Sequence, residues 1–114
     1  MSEWMQVVEK MRACAKEIHR LRRLLRRPPP HTSNPRRTWQ KIARLDDLRK
    51  NYWRYVEATM RQKKAPEEIV FIVRQHYYYR ETWQYVAARL YIDYQFNHMM
   101  PKRALQKWQR QHDL

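Results

Sequence analysis

Not one of the 114 residues is glycine, where average usage of about 7% would supply roughly eight. Without glycine there is no G-x-G-x-x-G phosphate cradle and no strained nucleophile elbow. Tight β-hairpins also lose the residue that most readily takes their left-handed turn positions. These absences argue against the ordinary glycine-loop nucleotide-binding and acyl-transfer enzymes. They leave helices as the natural building block, and the length supports one domain, with or without a tail.

The apolar spacing carries that reading. Trp4, Val7, Val8, Met11, Cys14, Ala15, Ile18, Leu21, Leu24 and Leu25 recur in steps of three and four, which predicts a first helix over 3–27. Pro28, Pro29 and Pro30 end it, because proline has no N–H to donate and disfavours a helical residue before it. Residues 28–36 then read as a stiff linker. Asn34-Pro35 is a capping residue followed by a first-turn proline, and it opens a second helix. Its stripe runs through Trp39, Ile42, Leu45, Leu48, Tyr52, Tyr55, Val56 and Met60, and Lys63-Lys64 close it. Pro66-Glu67-Glu68 signals a third start, followed by one long helix over 69–94. Ile69 to Val73 has strand-like composition, but the long stretch that follows favours helix. Pro101 opens a short fourth helix over 102–110. The expected fold is therefore all-α. It is a three-helix antiparallel bundle over 1–96 with a short C-terminal helical tail over 97–114.

Composition narrows the function. With 25 Lys+Arg against 11 Asp+Glu the formal charge is +14, and 43% of residues are apolar, including five Trp and eight Tyr. That is a folded, basic chain rather than a disordered one. Its single cysteine, Cys14, lies on the apolar stripe of the first helix, which predicts a buried, inert thiol. No apolar run approaches the roughly 18 residues of a membrane span. The start Met1-Ser2-Glu3-Trp4 lacks the pattern of a secretory signal. The basic amphipathic stretch over 10–27 fits a mitochondrial import signal and a nucleic-acid-binding helix equally well.

Catalytic and metal chemistry find little support. His19, His31, His76, His98 and His112 are scattered without helical ligand spacing, so no metal site is expected. Asp46-Asp47 and Glu67-Glu68 are adjacent pairs whose side chains diverge on a helix, unlike carboxyls converging on a substrate. Tyr77, Tyr78, Tyr79, Tyr85, Tyr91 and Tyr94 give the third helix an aromatic circumference. Such a helix packs as core with a rim, as a protein interface, or as a base-stacking surface. The sharpest feature is the run Arg20, Arg22, Arg23, Arg26, Arg27, Arg36 and Arg37, with no acid between residues 20 and 37. Guanidinium at this density suits bidentate binding of phosphate or carboxylate, and charge alone does not separate nucleic acid from an acidic protein.

Leu21-Arg22-Arg23-Leu24-Leu25-Arg26 resembles the Leu-Tyr-Arg signature of the LYR-motif family of small mitochondrial proteins, with Arg22 standing at the tyrosine. Ala58-Thr59-Met60-Arg61-Gln62-Lys63 resembles the family's second, aromatic-arginine motif, with Met60 at the aromatic position. The likeness covers roughly residues 5–95. It implies a basic three-helix accessory subunit or assembly factor of a respiratory complex, such as complex I, on the matrix side of mitochondria. The implied partner is the acidic acyl carrier protein, whose acyl-phosphopantetheine chain enters a groove between the helices. Arg23 and Arg26 would then pair with carrier acids, Arg61 would add a basic contact, and Leu21, Leu25 and Met60 would line the acyl groove. The chain would carry no cofactor of its own. Two other readings stand beside it: a ribosomal or mitoribosomal protein gripping rRNA phosphates with the same basic face, and a carrier-free helical subunit of a respiratory or ATP synthase assembly, with the aromatic third helix and the tail over 102–114 buried against neighbouring subunits.

Overall fold

The computed structural model describes residues 1–26, 34–95 and 100–114, and it is all-helical, with no strand among the described residues. Arg27, His31 and the rest of linker residues 28–33 lie outside the described residues, as does His98.

Helix α1 spans Glu3–Leu25 and α2 spans Pro35–Gln62. Each begins at a side-chain cap. Ser2 Oγ accepts from Met5 N–H (3.0 Å), and Asn34 Oδ1 accepts from Arg37 N–H (3.1 Å) with Pro35 in the first turn. The two helices pair antiparallel, so the start of α1 lies against the end of α2, and Trp4 Nε1 donates to the Val56 carbonyl (3.2 Å).

The expected single third helix is instead two helices joined by a π-helical turn. Helix α3 covers Glu67–Val73, the π turn Arg74–Tyr78, and α4 Trp83–Tyr94. The i→i−5 bonding of a π turn displaces the ladder: Tyr79 N–H reaches the Arg74 carbonyl (3.0 Å), and just beyond it Glu81 N–H closes a wider loop onto the Gln75 carbonyl (2.9 Å). The chain then reverses through Arg80 (φ 58°) and restarts at a Thr82 cap, whose Oγ1 accepts from Tyr85 N–H (3.1 Å). His76 clamps the corner. Its Nδ1 donates to the Glu81 carbonyl (2.8 Å), which fixes that nitrogen as protonated, and its ring stacks on Trp83 at 3.6 Å.

The expected tail is α5, Pro101–Gln111, and it belongs to the same core as the rest. Ala104, Leu105 and Trp108 face inward, and the Trp108 ring meets Trp4 edge-on at 5.8 Å. A tail is separable only where few apolar contacts cross to the bundle; here α5 supplies part of the enclosure around Trp4.

Two unequal apolar clusters result. The larger joins Trp4, Val8, Val56 and Met60 of the hairpin to all five residues Ile69–Val73, to Val86 and Leu90 of α4, and to α5. The smaller holds only Ile18, Leu21 and Ile42, flanked by Leu24, Leu25 and Leu45. The molecule measures 51 × 28 × 20 Å with a radius of gyration of 16.6 Å. A compact chain of this length would have a radius nearer 13 Å. The excess comes from the hairpin: a helical head surrounds one end, and the other end projects as a two-helix arm.

The absent glycines leave a trace at the turns. Lys64, Arg80, Gln95 and Asp113 all take the left-handed conformation, each just beyond a helical segment where glycine would be the easy choice.

Candidate functional site: the basic arm and its root

From residue 18 to residue 45 the sequence holds nine Arg and Lys and no Asp or Glu. This stretch is the arm. Arg20, Arg22, Arg23, Arg26, Arg36 and Arg37 are all exposed, as are Lys41 and Arg44. The hairpin places them there because Ile18, Leu21 and Ile42, with their leucine flank, occupy the only face each helix buries.

Few of these cations are neutralised internally. Arg20 pairs with Glu17 (Nε to Oε2 3.0 Å), and Lys41 reaches the same carboxylate at 4.0 Å. The hydrogen bond from Arg20 holds the Glu17 carboxyl below its ordinary range. Among the described residues Arg22, Arg23, Arg26, Arg36, Arg37 and Arg44 make no ion pair. On the outer side of α2, Arg37, Lys41 and Arg44 border a groove of about 560 Å³ floored by Leu45 and Leu48, and Trp39 one turn away is 55% exposed.

Arg61, assigned to the same basic face on sequence, lies at the opposite end of α2. It is held by Glu67 and, at 3.9 Å, by Glu57. The apolar trio implied for an acyl groove is likewise divided. Leu21 and Leu25 belong to the arm cluster, whereas Met60 is fully enclosed in the head beside Trp4. Antiparallel pairing is the reason: position 21 of α1 meets position 42 of α2, and position 60 lies about 27 Å further along α2. Among the described residues these three side chains therefore line no common groove.

At the root of the arm, where the π turn meets the hairpin, lies a cleft of about 410 Å³. Ala15 and Ile18 form its apolar floor, His19, Arg22, Arg49 and Arg80 its cationic rim, and Tyr78 and Tyr79 one wall. Arg49 is the fixed member. Its Nη1 donates to the Tyr78 carbonyl (2.7 Å), its Nη2 to Asp46 (2.9 Å), and its guanidinium lies 4.2 Å from the centre of the Tyr78 ring. Burial would raise the Asp46 carboxyl, but hydrogen bonds from Arg49 and Lys50 outweigh it and hold the group low. Burial pushes the Cys14 thiol up, with the Arg49 charge opposing, so the thiol stays protonated and unreactive.

Sequence reasoning missed this cleft because its parts come from three separated segments. It also treated the tyrosines as one circumference. Tyr78 is buried and Tyr77 half-buried, while Tyr79, Tyr85, Tyr91 and Tyr94 are exposed, and only Val86 and Leu90 of α4 are enclosed. Among the described residues no three His, Cys, Asp or Glu side chains gather as metal ligands, and no helix is long and apolar enough to cross a membrane. No protein-family model, curated protein or solved structure matches the chain.

Proposed function

We propose that the chain is a non-catalytic accessory subunit or assembly factor of a large mitochondrial assembly, and that its basic arm docks on an acidic partner. The observation that carries this reading is the acid-free arm, whose six unpaired arginines stand exposed on two helices. A merely solubilising face would mix lysine with glutamate; guanidinium without carboxylate favours an anionic surface brought by a partner.

The partner implied by the LYR-like residues is the acyl carrier protein. Arg23 and Arg26 support it: they are exposed, unpaired and adjacent to Leu25. The contact is proposed for the arm alone, because Met60 and Arg61 lie at the far end of the hairpin. Charge reversal tests it. In a pull-down of the tagged full chain from mitochondria, carrier protein and respiratory subunits are expected in the eluate. Arg23→Glu with Arg26→Glu removes them while the helical circular dichroism stays unchanged, since neither residue packs in a core. Undiminished carrier capture by the double variant refutes the assignment.

One observation favours a second reading, rRNA phosphate. The arginines occupy both helices and more than one face of a slender arm, which suits a polyanion wrapped around it better than a single flat protein surface. Stoichiometric rRNA in the same eluate, with binding that weakens by a logarithmic salt slope of about 0.7–0.9 per phosphate contact, would replace the carrier with RNA.

A further inference from the structure

We propose that the cleft at the root of the arm is a nucleoside-phosphate site, with the phosphate held by Arg22, Arg80 and Arg49 and the base laid against Tyr79. This inference does not depend on which partner covers the rest of the arm.

Three observations converge on it. First, the charge is unspent: the Arg22 and Arg80 side chains make no hydrogen bond or ion pair among the described residues, and they border one cleft with His19. Second, Arg49 borders the same cleft and is held in place by Asp46 and the Tyr78 carbonyl, so an anion entering the cleft would meet a guanidinium already fixed in position. Third, the cleft is shaped for more than an ion. At about 410 Å³ it matches the size of small-molecule sites, with an apolar floor at Ile18 and a Tyr79 ring that is 53% exposed.

Phosphate fits this rim better than carboxylate. Three guanidiniums offer more N–H groups than one carboxylate can accept, whereas a phosphate has three oxygens to share among them. A chain without glycine lacks the glycine-rich loop that often cradles phosphate. Side-chain guanidiniums are another means, and here an α-helix, a second helix and a left-handed turn at Arg80 bring three to one place. An exposed tyrosine beside them gives a purine or pyrimidine a face to stack on.

The test is calorimetric titration of the full chain with AMP, adenosine, inorganic phosphate and a five-nucleotide RNA. AMP is expected to bind more tightly than either of its halves. Arg22→Ala with Arg80→Ala should weaken it by at least about tenfold, the scale of one lost charge-assisted contact. Tyr79→Ala should weaken AMP but not inorganic phosphate. Lys63→Ala with Lys64→Ala removes equal charge at the far end of the hairpin and should leave AMP binding unchanged. AMP matching the RNA in affinity identifies a free nucleotide as the ligand. RNA binding far more tightly, with the same sensitivity to Arg22 and Arg80, identifies a nucleotide within a strand. The proposal is overturned if none of the probes binds at millimolar concentration. It is equally overturned if the Lys63/Lys64 control loses as much affinity as the cleft variant, or if inorganic phosphate binds as tightly as AMP with Tyr79→Ala silent.

Discussion

The head and the arm are made from the same two helices and differ in what covers them. In the head, α3, α4 and α5 close over the hairpin, so that Trp4, Val8, Val56, Met60, Ile72 and Leu90 are fully enclosed. In the arm, beyond the cleft at its root, each helix has only the other, and its apolar cluster buries three of the described residues. A helix covered on several sides must give its circumference to apolar packing; a helix covered on one side keeps the rest for charge. The difference teaches that the basic surface is a consequence of architecture as much as of composition. It also implies unequal stability, because local opening follows the density of buried contacts.

The largest expected effect tests that inequality directly. Trp4→Ala removes an indole that bridges Val56 and Trp108 and should cost about 3–5 kcal/mol in global stability by denaturant titration. Ile42→Ala, in the arm, should cost about 2 kcal/mol, the low end for such truncations, because two helices relax into the space more readily than five. Hydrogen exchange separates the modes: the arm variant should speed exchange over 18–26 and 34–48 only, whereas the head variant speeds it everywhere. Equal and global losses from both variants would break the comparison and make the hairpin a single cooperative unit.

Much of this division was open to sequence reasoning, and some of it was not. The starts at Asn34-Pro35, Pro66-Glu67-Glu68 and Pro101 act through local backbone chemistry, so each fell where its residues indicated. The break between α3 and α4 had one local sign, the capping Thr82, hidden inside a stretch of aromatic residues. The π turn before it had none, since it depends on His76 finding the Glu81 carbonyl and Trp83 across the corner. The separation of Met60 from Leu21 follows from antiparallel pairing alone. Short motif likeness ignores that pairing, which is why the three residues implied for an acyl groove fall in two separate clusters. The cleft at the arm's root required three distant segments to meet, and no periodicity encodes that.

A smaller effect separates the two regions by pH. Burial, aided by the charges of Arg12 and Lys102, holds the folded-state pKa of His76 below its ordinary value, while the Glu81 carbonyl opposes. A depressed histidine favours the neutral form in the fold. Its contribution is therefore fully present above the unfolded value of about 6.5 and is lost as pH falls below it. The carboxyls depressed near the arm, Glu17 and Asp46, act in another window: their contribution persists until pH falls below about 4. Mild acid should thus loosen the α3–α4 corner while the hairpin pairs stay intact. Thermal unfolding followed from pH 7 down should show the first loss, and His76→Phe, which keeps a ring on Trp83, should flatten it. A loss that survives this substitution would assign the acid sensitivity elsewhere.

The smallest effect concerns the turns that replace glycine. Lys64 closes α2 in the head with φ 56°, a conformation that burdens a side chain bearing a Cβ by about 1 kcal/mol. Lys64→Gly relieves that strain but gives the unfolded chain more freedom, which offsets about half of the gain. A net stabilisation of about 0.5 kcal/mol is expected by denaturant titration, against no gain for Lys64→Ala, which keeps the Cβ. Because the turn lies in the head, exchange protection should rise there and stay unchanged over 18–26 and 34–48. Stabilisation of the arm by so remote a turn would mean that the two regions open together, and the division between them would then be one of shape and charge rather than of stability.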